Sequence, residues 1–211
     1  MILFGLIVLG AIGVFIFGFR EGRLSLYRKH IGEVLVIREI HRVGGHGGHL
    51  VNNITIGVGA TVRTTQIDHI LVAPTGVYVI ETKHYNGWIY GDPRRREWRQ
   101  VFYRKKIPMH NPIFQNHGHV AELQRALGLP AEYFKSLVVF SGQAEFKTDL
   151  GPDVIHIYDL ADYFAKAARV RPVVLDGQKM AWVIGRIEQI RRPRSQETDE
   201  YHVRALLRGV E

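Results

Sequence analysis

Two short apolar runs joined by a tight turn constrain the fold of this chain most. Residues 66–73 and 77–83 are rich in aliphatic and β-branched side chains, and the turn-forming sequence 74–76 (Pro-Thr-Gly) joins them. This pattern predicts a β-hairpin. An acidic residue interrupts each strand, Asp68 in the first and Glu81 in the second. Because a buried strand rarely carries an unpaired charge, we expect the chemistry of the chain at these two positions.

The length of the hairpin loop decides whether the two carboxylates share one face of the sheet. A two-residue or four-residue loop places Asp68 opposite Glu81 and Gln66 opposite Lys83, whereas a three-residue loop separates them onto opposite faces. In the shared-face registers, the two Cβ atoms lie roughly 4.5–5.5 Å apart. The repulsion between the carboxylates then requires a cation. Oxygen ligands of this kind are typical of Mg²⁺ or Mn²⁺ sites.

The first 19 residues carry no ionisable side chain, and four basic residues follow within ten positions: Arg20, Arg23, Arg28 and Lys29. A helix of this length covers about 28 Å, close to the hydrocarbon thickness of a bilayer. No basic residue precedes the run and no small-residue cleavage site follows it, which disfavours a cleaved signal peptide. We predict a transmembrane anchor at 1–19 and a basic juxtamembrane segment at 20–30. The positive-inside rule then places the remaining chain on the cytoplasmic side of an inner or plasma membrane.

The composition fits one folded domain behind this anchor. The chain has 211 residues, 46% of them hydrophobic, and a formal net charge of +8, which excludes a mainly disordered chain. It contains no cysteine, which excludes disulfides, thiolate metal sites and a cysteine nucleophile. The sequence also lacks the P-loop, dinucleotide-binding and HExxH motifs.

Hydrophobic periodicity predicts an α/β domain at 31–192 and a tail at 193–211. The predicted helices are 22–38, 112–127, 159–169 and 177–191, and the predicted strands are 51–56, 66–73, 77–83, 88–90, 137–140 and 154–157. The first four strands should form an antiparallel meander within a mixed sheet flanked by helices. We interpret 41–48 as a glycine-rich loop, and we assign no chemistry to His46 and His49.

Several motifs, in this order and with these gaps, resemble one family. They are Gly32-Glu33, Gln66-Ile67-Asp68-His69, GVYVIETK at 76–83, Asn86-Gly87, Trp98, and Asn111-Pro112 with Gln115. Asp followed after a hairpin by Glu-x-Lys resembles the PD-(D/E)XK nuclease superfamily, and the whole set resembles its nuclease-related domain (NERD) family. The resemblance implies a restriction-endonuclease-like fold, a mixed central sheet flanked by helices. It also implies metal-dependent hydrolysis of a nucleic-acid phosphodiester bond, with DNA favoured over RNA.

The resemblance also gives the central residues their roles. Asp68 and Glu81 would hold Mg²⁺ or Mn²⁺, and the carbonyl of Thr82 is a further candidate ligand. Lys83 would orient the attacking water and offset charge on the transition state. The alternative for Asp68, Glu81 and Lys83 is a buried structural ion network.

Three further polar residues have weaker assignments. Glu33 on the first helix is a candidate catalytic carboxylate or an exposed helix acid. Gln115, one turn into the helix at 112–127, is a candidate for contact with the phosphate or Lys83, or else faces solvent. Gln66 fits a hydrogen bond at the strand end as well as it fits catalysis. His69 is expected to face away from Asp68.

A dense basic stretch follows the predicted catalytic strands and is the candidate nucleic-acid-binding surface. It comprises Arg94, Arg95, Arg96, Arg99, Arg104, Lys105 and Lys106, interleaved with Trp98, Phe102 and Tyr103. Contacts between such residues and phosphates supply much of the affinity for nucleic acid. The alternative is a solvated hairpin with ordinary surface charge. We assign Lys29 and its basic neighbours to membrane topology.

Two other functions stay open. A catalytically inactive, membrane-tethered nucleic-acid-binding module would use the same fold, but it should have lost catalytic residues, and the core set here is complete. A membrane scaffold could instead recruit a protein partner such as a helicase, with 195–211 as an interaction helix. The sequence does not predict whether the chain forms a homo-oligomer.

Overall fold

The computed structural model describes residues 29–43, 47–57 and 64–192. The predicted anchor at 1–19, most of the basic segment at 20–30 and the predicted tail at 193–211 lie outside these residues. Within the described residues, the structure contains no helix that is both long and apolar enough to cross a membrane.

Four α-helices and nine β-strands are found in the described part of the chain. In chain order they are α1 (29–42), β1 (His49–Gly57), β2 (Thr64–Ala73), β3 (Gly76–Lys83), β4 (Gly87–Tyr90), β5 (Glu97–Phe102), β6 (Lys105–His110), α2 (Pro112–Leu127), β7 (Phe134–Phe140), β8 (Ala144–Phe146), β9 (Val154–His156), α3 (Leu160–Val170) and α4 (Gly177–Ile190).

Five strands form a mixed sheet at the centre, in the order β1-β2-β3-β7-β9. The first three pair antiparallel, and β7 pairs parallel with both β3 and β9. Helices α2 and α4 cover one face, where Leu123 packs in a cluster with Val79. Helices α1 and α3 cover the other face, where Ile40 and Phe164 pack in a cluster with Tyr78. The predicted mixed α/β fold with flanking helices is therefore confirmed.

A second sheet of four strands, in the order β6-β5-β4-β8, was not predicted. The prediction that 88–90 continues the antiparallel meander is wrong, because β4 pairs with β5 and, in parallel, with β8. The chain leaves the central sheet after β3, and Gly87 turns it with a φ of 84°. Hydrogen bonds from Gly87 N–H to the Gln143 carbonyl (2.9 Å) and from Gln143 N–H to Asn86 Oδ1 (2.8 Å) fix this departure.

The first helix continues further than predicted and includes His41 and Arg42, which were expected in the loop at 41–48. Ile40 is buried and holds this last turn against the core. An ion pair between Arg42 Nε and Glu39 Oε2 (2.9 Å) spans the same turn. His49, also treated as a loop residue, begins β1.

Candidate active site

The β2–β3 hairpin has the two-residue loop, one of the two lengths that place Asp68 and Glu81 on a shared face. Ala73 pairs with Gly76, and the ladder extends to the pair His69–Ile80. Asp68 and Glu81 follow one residue beyond this last pair. By alternation they face α2, because Ile70 on β2 and Val79 on β3 belong to the core cluster under that helix. Both carboxylates are about 2% exposed.

Asp68 is held by one amine and one backbone donor. Lys29 Nζ lies 3.2 Å from Oδ1, and the backbone N–H of Thr82 donates to Oδ2 at 3.0 Å. Lys29 also lies 3.7 Å from Glu33 Oε1, so α1 brings an amine and a second carboxylate to Asp68. The assignment of Lys29 to membrane topology therefore missed its main contact. Burial and the charge of Glu81 raise the pKa of Asp68, and burial and the charge of Asp68 raise the pKa of Glu33.

Glu81 lies in a three-way contact with Lys83 and Gln115. Its Oε1 accepts from Lys83 Nζ at 2.7 Å and from Gln115 Nε2 at 2.8 Å. Lys83 Nζ also donates to Gln115 Oε1 at 2.9 Å. Although Gln115 is exposed overall, its amide group is therefore directed onto the carboxylate and the amine. The structure brings these three predicted residues together from β3 and α2.

His119 is a site residue that the sequence analysis missed. Its Nε2 lies 3.3 Å from Glu81 Oε2, and its Nδ1 lies 2.7 Å from Thr65 Oγ1. Burial alone would raise the pKa of Glu81, but the contacts with His119 and Lys83 outweigh burial and lower it. The available signal was its spacing, because His119 follows Gln115 by four residues and shares its helix face.

A set of buried hydrogen bonds on α2 and a close approach on α1 position the helices that carry these side chains. Asn116, fully buried on α2, donates from Nδ2 to the Val79 carbonyl and to Ser136 Oγ, each at 2.8 Å. This contact holds the adjacent Gln115 over β3. On α1, a Cβ at Gly32 would lie 2.7 Å from the Cβ of His84, so only glycine permits this approach next to Glu33.

Gln66 and His69 have clear hydrogen-bond partners. Gln66 Nε2 donates to Asn53 Oδ1 at 2.9 Å, which matches the strand-end alternative. His69 lies on the other face, with Nδ1 2.8 Å from Asn52 Oδ1 and Nε2 3.0 Å from Thr82 Oγ1. Burial lowers the pKa of His69 to about 4.

The low pKa of His69 makes stability depend on pH. An unfolded His69 binds a proton below its ordinary pKa of 6.5, whereas the folded residue binds it only near pH 4. The free energy of unfolding should therefore fall as pH is lowered through this window, by up to about 1.4 kcal/mol per pH unit from this residue. Urea unfolding of wild type and His69→Gln, at several pH values in metal-free buffer, measures how the free energy of unfolding depends on pH. If the free energy of unfolding changes equally with pH in the two proteins, the assignment to His69 is contradicted.

The predicted basic stretch is divided between a loop and a hairpin. Arg94 and Arg96 line a cavity of about 1000 Å³ beside Gln115 and His119. Arg95, in the same loop, lies 3.8 Å from Asp92. The other four basic residues, all exposed, lie on the β5–β6 hairpin: Arg99, Arg104, Lys105 and Lys106. Four of the seven basic residues thus lie on a hairpin, and two arginines share a cavity with Gln115 and His119.

Comparison with known proteins gives the family. A family model described as nuclease-related domain (NERD) matches residues 28–141, more than half of the chain. The chain belongs to the NERD family. The matched segment runs from α1 to the end of β7 and includes all the residues predicted for the NERD site.

A relative and the solved structures were also compared. An uncharacterized protein of Bacillus anthracis is 38% identical over 107 residues, which are 47% of this chain and 50% of that protein. The chain thus matches about half the length of this curated relative. No solved structure matches the NERD chain.

The donor atoms of this NERD site fit a divalent cation held by two carboxylates. Glu81 Oε2 is buried and accepts no hydrogen bond from the described residues. His119 Nε2 lies 3.3 Å away, within ion-pair distance but without hydrogen-bond geometry. The mutual repulsion of Asp68 and Glu81 also favours a cation. Among the described residues, no group of three or more His, Asp or Glu side chains is arranged to hold a metal. Mg²⁺ commonly uses only one or two carboxylates and keeps several waters.

Proposed function

We propose that this chain is a membrane-anchored, divalent-metal-dependent nuclease on a restriction-endonuclease-like fold, which hydrolyses phosphodiester bonds in DNA more readily than in RNA. One observation carries the proposal. Glu81 presents a buried oxygen without an aligned donor beside Asp68, while Lys83 and Gln115 hold its other oxygen. Membership of a nuclease-related family supports the same chemistry.

Each residue of the site would have a defined task. Asp68 and Glu81 would hold Mg²⁺ or Mn²⁺, with the carbonyl of Thr82 as a further candidate ligand. When bound, the metal would supply Lewis-acid activation of water and of the scissile phosphate. Lys83, anchored by Glu81 and Gln115, would orient the attacking water and offset the negative charge that develops on the phosphate. Hydrogen bonds at 2.7 and 2.9 Å pre-set the position of its ammonium group.

The remaining charged residues would bind substrate or position the side chains that contact the carboxylates. Arg94 and Arg96 would contact phosphates near the carboxylates, and the basic β5–β6 hairpin would extend this surface. Glu33 would act through Lys29, which lies between it and Asp68. Glu33 is therefore a positioning residue in this proposal.

A cleavage assay tests the enzymatic part of the proposal. The purified full-length protein is incubated with single-stranded and double-stranded DNA and RNA, in Mg²⁺, in Mn²⁺ or in EDTA. We expect cleavage in either metal, none in EDTA, and faster cleavage of DNA. If no substrate is cleaved in either metal, the proposal of an enzyme fails.

One observation favours a second candidate, a nucleic-acid-binding module without turnover. Each carboxylate already has a lysine partner, Lys29 on Asp68 and Lys83 on Glu81, as a structural ion network would. This module would bind the same nucleic acids with no cleavage in any metal. The assay above therefore separates the two candidates.

The membrane part of the proposal rests on the uncharged run at 1–19 and the basic residues after it. With an epitope tag at the C-terminus, protease added to intact spheroplasts should leave the domain intact, because the positive-inside rule places it in the cytoplasm. Protease added after permeabilisation should digest it. Deletion of 1–19 should move the protein from the membrane fraction to the soluble fraction. Digestion in intact spheroplasts would contradict this topology.

A further inference from the structure

The side chains that contact the two carboxylates also line the cavity of about 1000 Å³. Gln115 and His119 both contact Glu81 and both line the cavity wall. Lys29, which contacts Asp68, lies in the same wall. A ligand in the cavity would therefore contact side chains that bind both carboxylates.

Asn111 fixes the loop that carries the two arginines of this cavity. Its Nδ2 donates to the carbonyls of Pro93 (3.1 Å) and Arg95 (2.7 Å), and its backbone N–H donates to the Arg96 carbonyl (2.8 Å). Its Oδ1 accepts from the N–H of Ile113 at the start of α2 (2.9 Å). A single side chain thus holds the arginine loop at a set distance from the helix that carries Gln115.

An aromatic ring stands in the same wall. Phe114 precedes Gln115 on α2, lines the cavity and is 42% exposed. Burial of such a ring would ordinarily stabilise the fold, so its exposure leaves apolar surface available to a ligand. Basic grooves with exposed aromatic rings bind single-stranded nucleic acid, because each base can stack on a ring while phosphates contact the cations.

We infer that the cavity binds one strand of nucleic acid in single-stranded form, with a base stacked on Phe114 and the flanking phosphates on Arg94 and Arg96. This inference rests on the proposed nuclease function. Clefts and cavities of roughly 300–1,000 Å³ hold ligands of drug size, which is the scale of a short stretch of nucleotides. A duplex keeps its base faces stacked inside and is stiff over about 150 bp. A single strand can bend into the cavity and offer a base face to the ring.

Binding measured in EDTA tests the inference without turnover. Fluorescence anisotropy gives the affinity of the full-length protein for a short labelled DNA strand, the same sequence as RNA, and the matched blunt DNA duplex. The variants are Phe114→Ala, which removes the ring, and Phe114→Trp, which keeps a stacking surface. Tyr158→Ala is the matched control, since its ring is 75% exposed between β9 and α3, outside both the cavity lining and the basic stretch.

We expect the single strand to bind at least about tenfold more tightly than the duplex, with either DNA or RNA. Phe114→Ala should weaken single-strand binding roughly 5- to 100-fold, the loss of one base stacked on an aromatic ring. Phe114→Trp and Tyr158→Ala should bind like wild type. Equal binding of the blunt duplex, or unchanged binding by Phe114→Ala, would overturn the inference even if the protein cleaves duplex DNA. If no nucleic acid binds, both this inference and the proposed function are contradicted.

Discussion

Asp68→Asn and Glu81→Gln should each abolish cleavage and weaken the binding of Mg²⁺ or Mn²⁺. Each substitution removes one of the two buried carboxylate charges that would hold the cation, so the cleavage rate should fall by roughly 10³-fold or more. Nucleic-acid binding should persist, because it depends on the distributed basic surface. Single-turnover cleavage of labelled DNA and calorimetric titration with metal measure the two effects. A variant that keeps wild-type metal affinity would contradict the two-carboxylate site.

The melting temperature of Asp68→Asn separates a metal site from a structural ion network. The charge of Glu81 and burial both raise the pKa of Asp68, so its ionised form is disfavoured in the metal-free protein. Asp68→Asn should therefore melt at the wild-type temperature or above it in EDTA, and it should lose the stabilisation that metal gives the wild type. If the network is structural, breaking the buried pair would cost about 3–5 kcal/mol. Glu39→Gln, an acid outside the site on α1, is the control.

Lys83→Met should slow cleavage without loss of metal binding. The ammonium lies 2.7 Å from Glu81 Oε1, and its positive charge would repel a cation held at Oε2 of the same carboxylate. Its removal should leave metal affinity unchanged or higher, while the rate falls by about 10²–10³, or roughly 2.7–4 kcal/mol of transition-state stabilisation. Single-turnover cleavage at saturating metal measures the rate, and calorimetric titration with metal measures the affinity.

Lys166→Met is the matched control for Lys83→Met, since it removes one exposed lysine from α3, far along the chain from the site. It should cleave at the wild-type rate. Gln115→Ala should show a smaller loss than Lys83→Met, because it removes one of two anchors of the ammonium. Cleavage by Lys83→Met at the wild-type rate would remove Lys83 from the proposed chemistry.

The sequence predicts the parts of the structure that local signals determine. Helix α2 begins at Pro112 and ends at Leu127, as expected, because Asn111 caps its start and Gly128 adopts a φ of 65° after its end. The β2–β3 hairpin is equally local, and strand alternation with the expected even-numbered loop places Asp68 and Glu81 on one face. The sequence left the loop length open. Two-residue and four-residue loops give the same facing pairs, whereas a three-residue loop would have separated the carboxylates.

The parts that were missed depend on contacts between distant segments. Lys29 reaches Asp68 from a helix 39 positions earlier, and nothing in its neighbourhood distinguishes it from other basic residues near a membrane span. His119 contacts Thr65 across 54 positions. Strand β6 is almost wholly exposed, so it shows no hydrophobic alternation that could identify it.

The contact between Lys29 and Asp68 sets how far the proposed enzyme can reach. Nine residues, 20–28, separate the proposed membrane span from Lys29. Fully extended, at about 3.3–3.6 Å per residue, they cover only about 30 Å. With the anchor in place, this distance and the length of the Lys29 side chain would limit how far the carboxylates lie from the lipid surface, so only nucleic acid brought up to the membrane could be cut. Location, as well as chemistry, would then select the substrate.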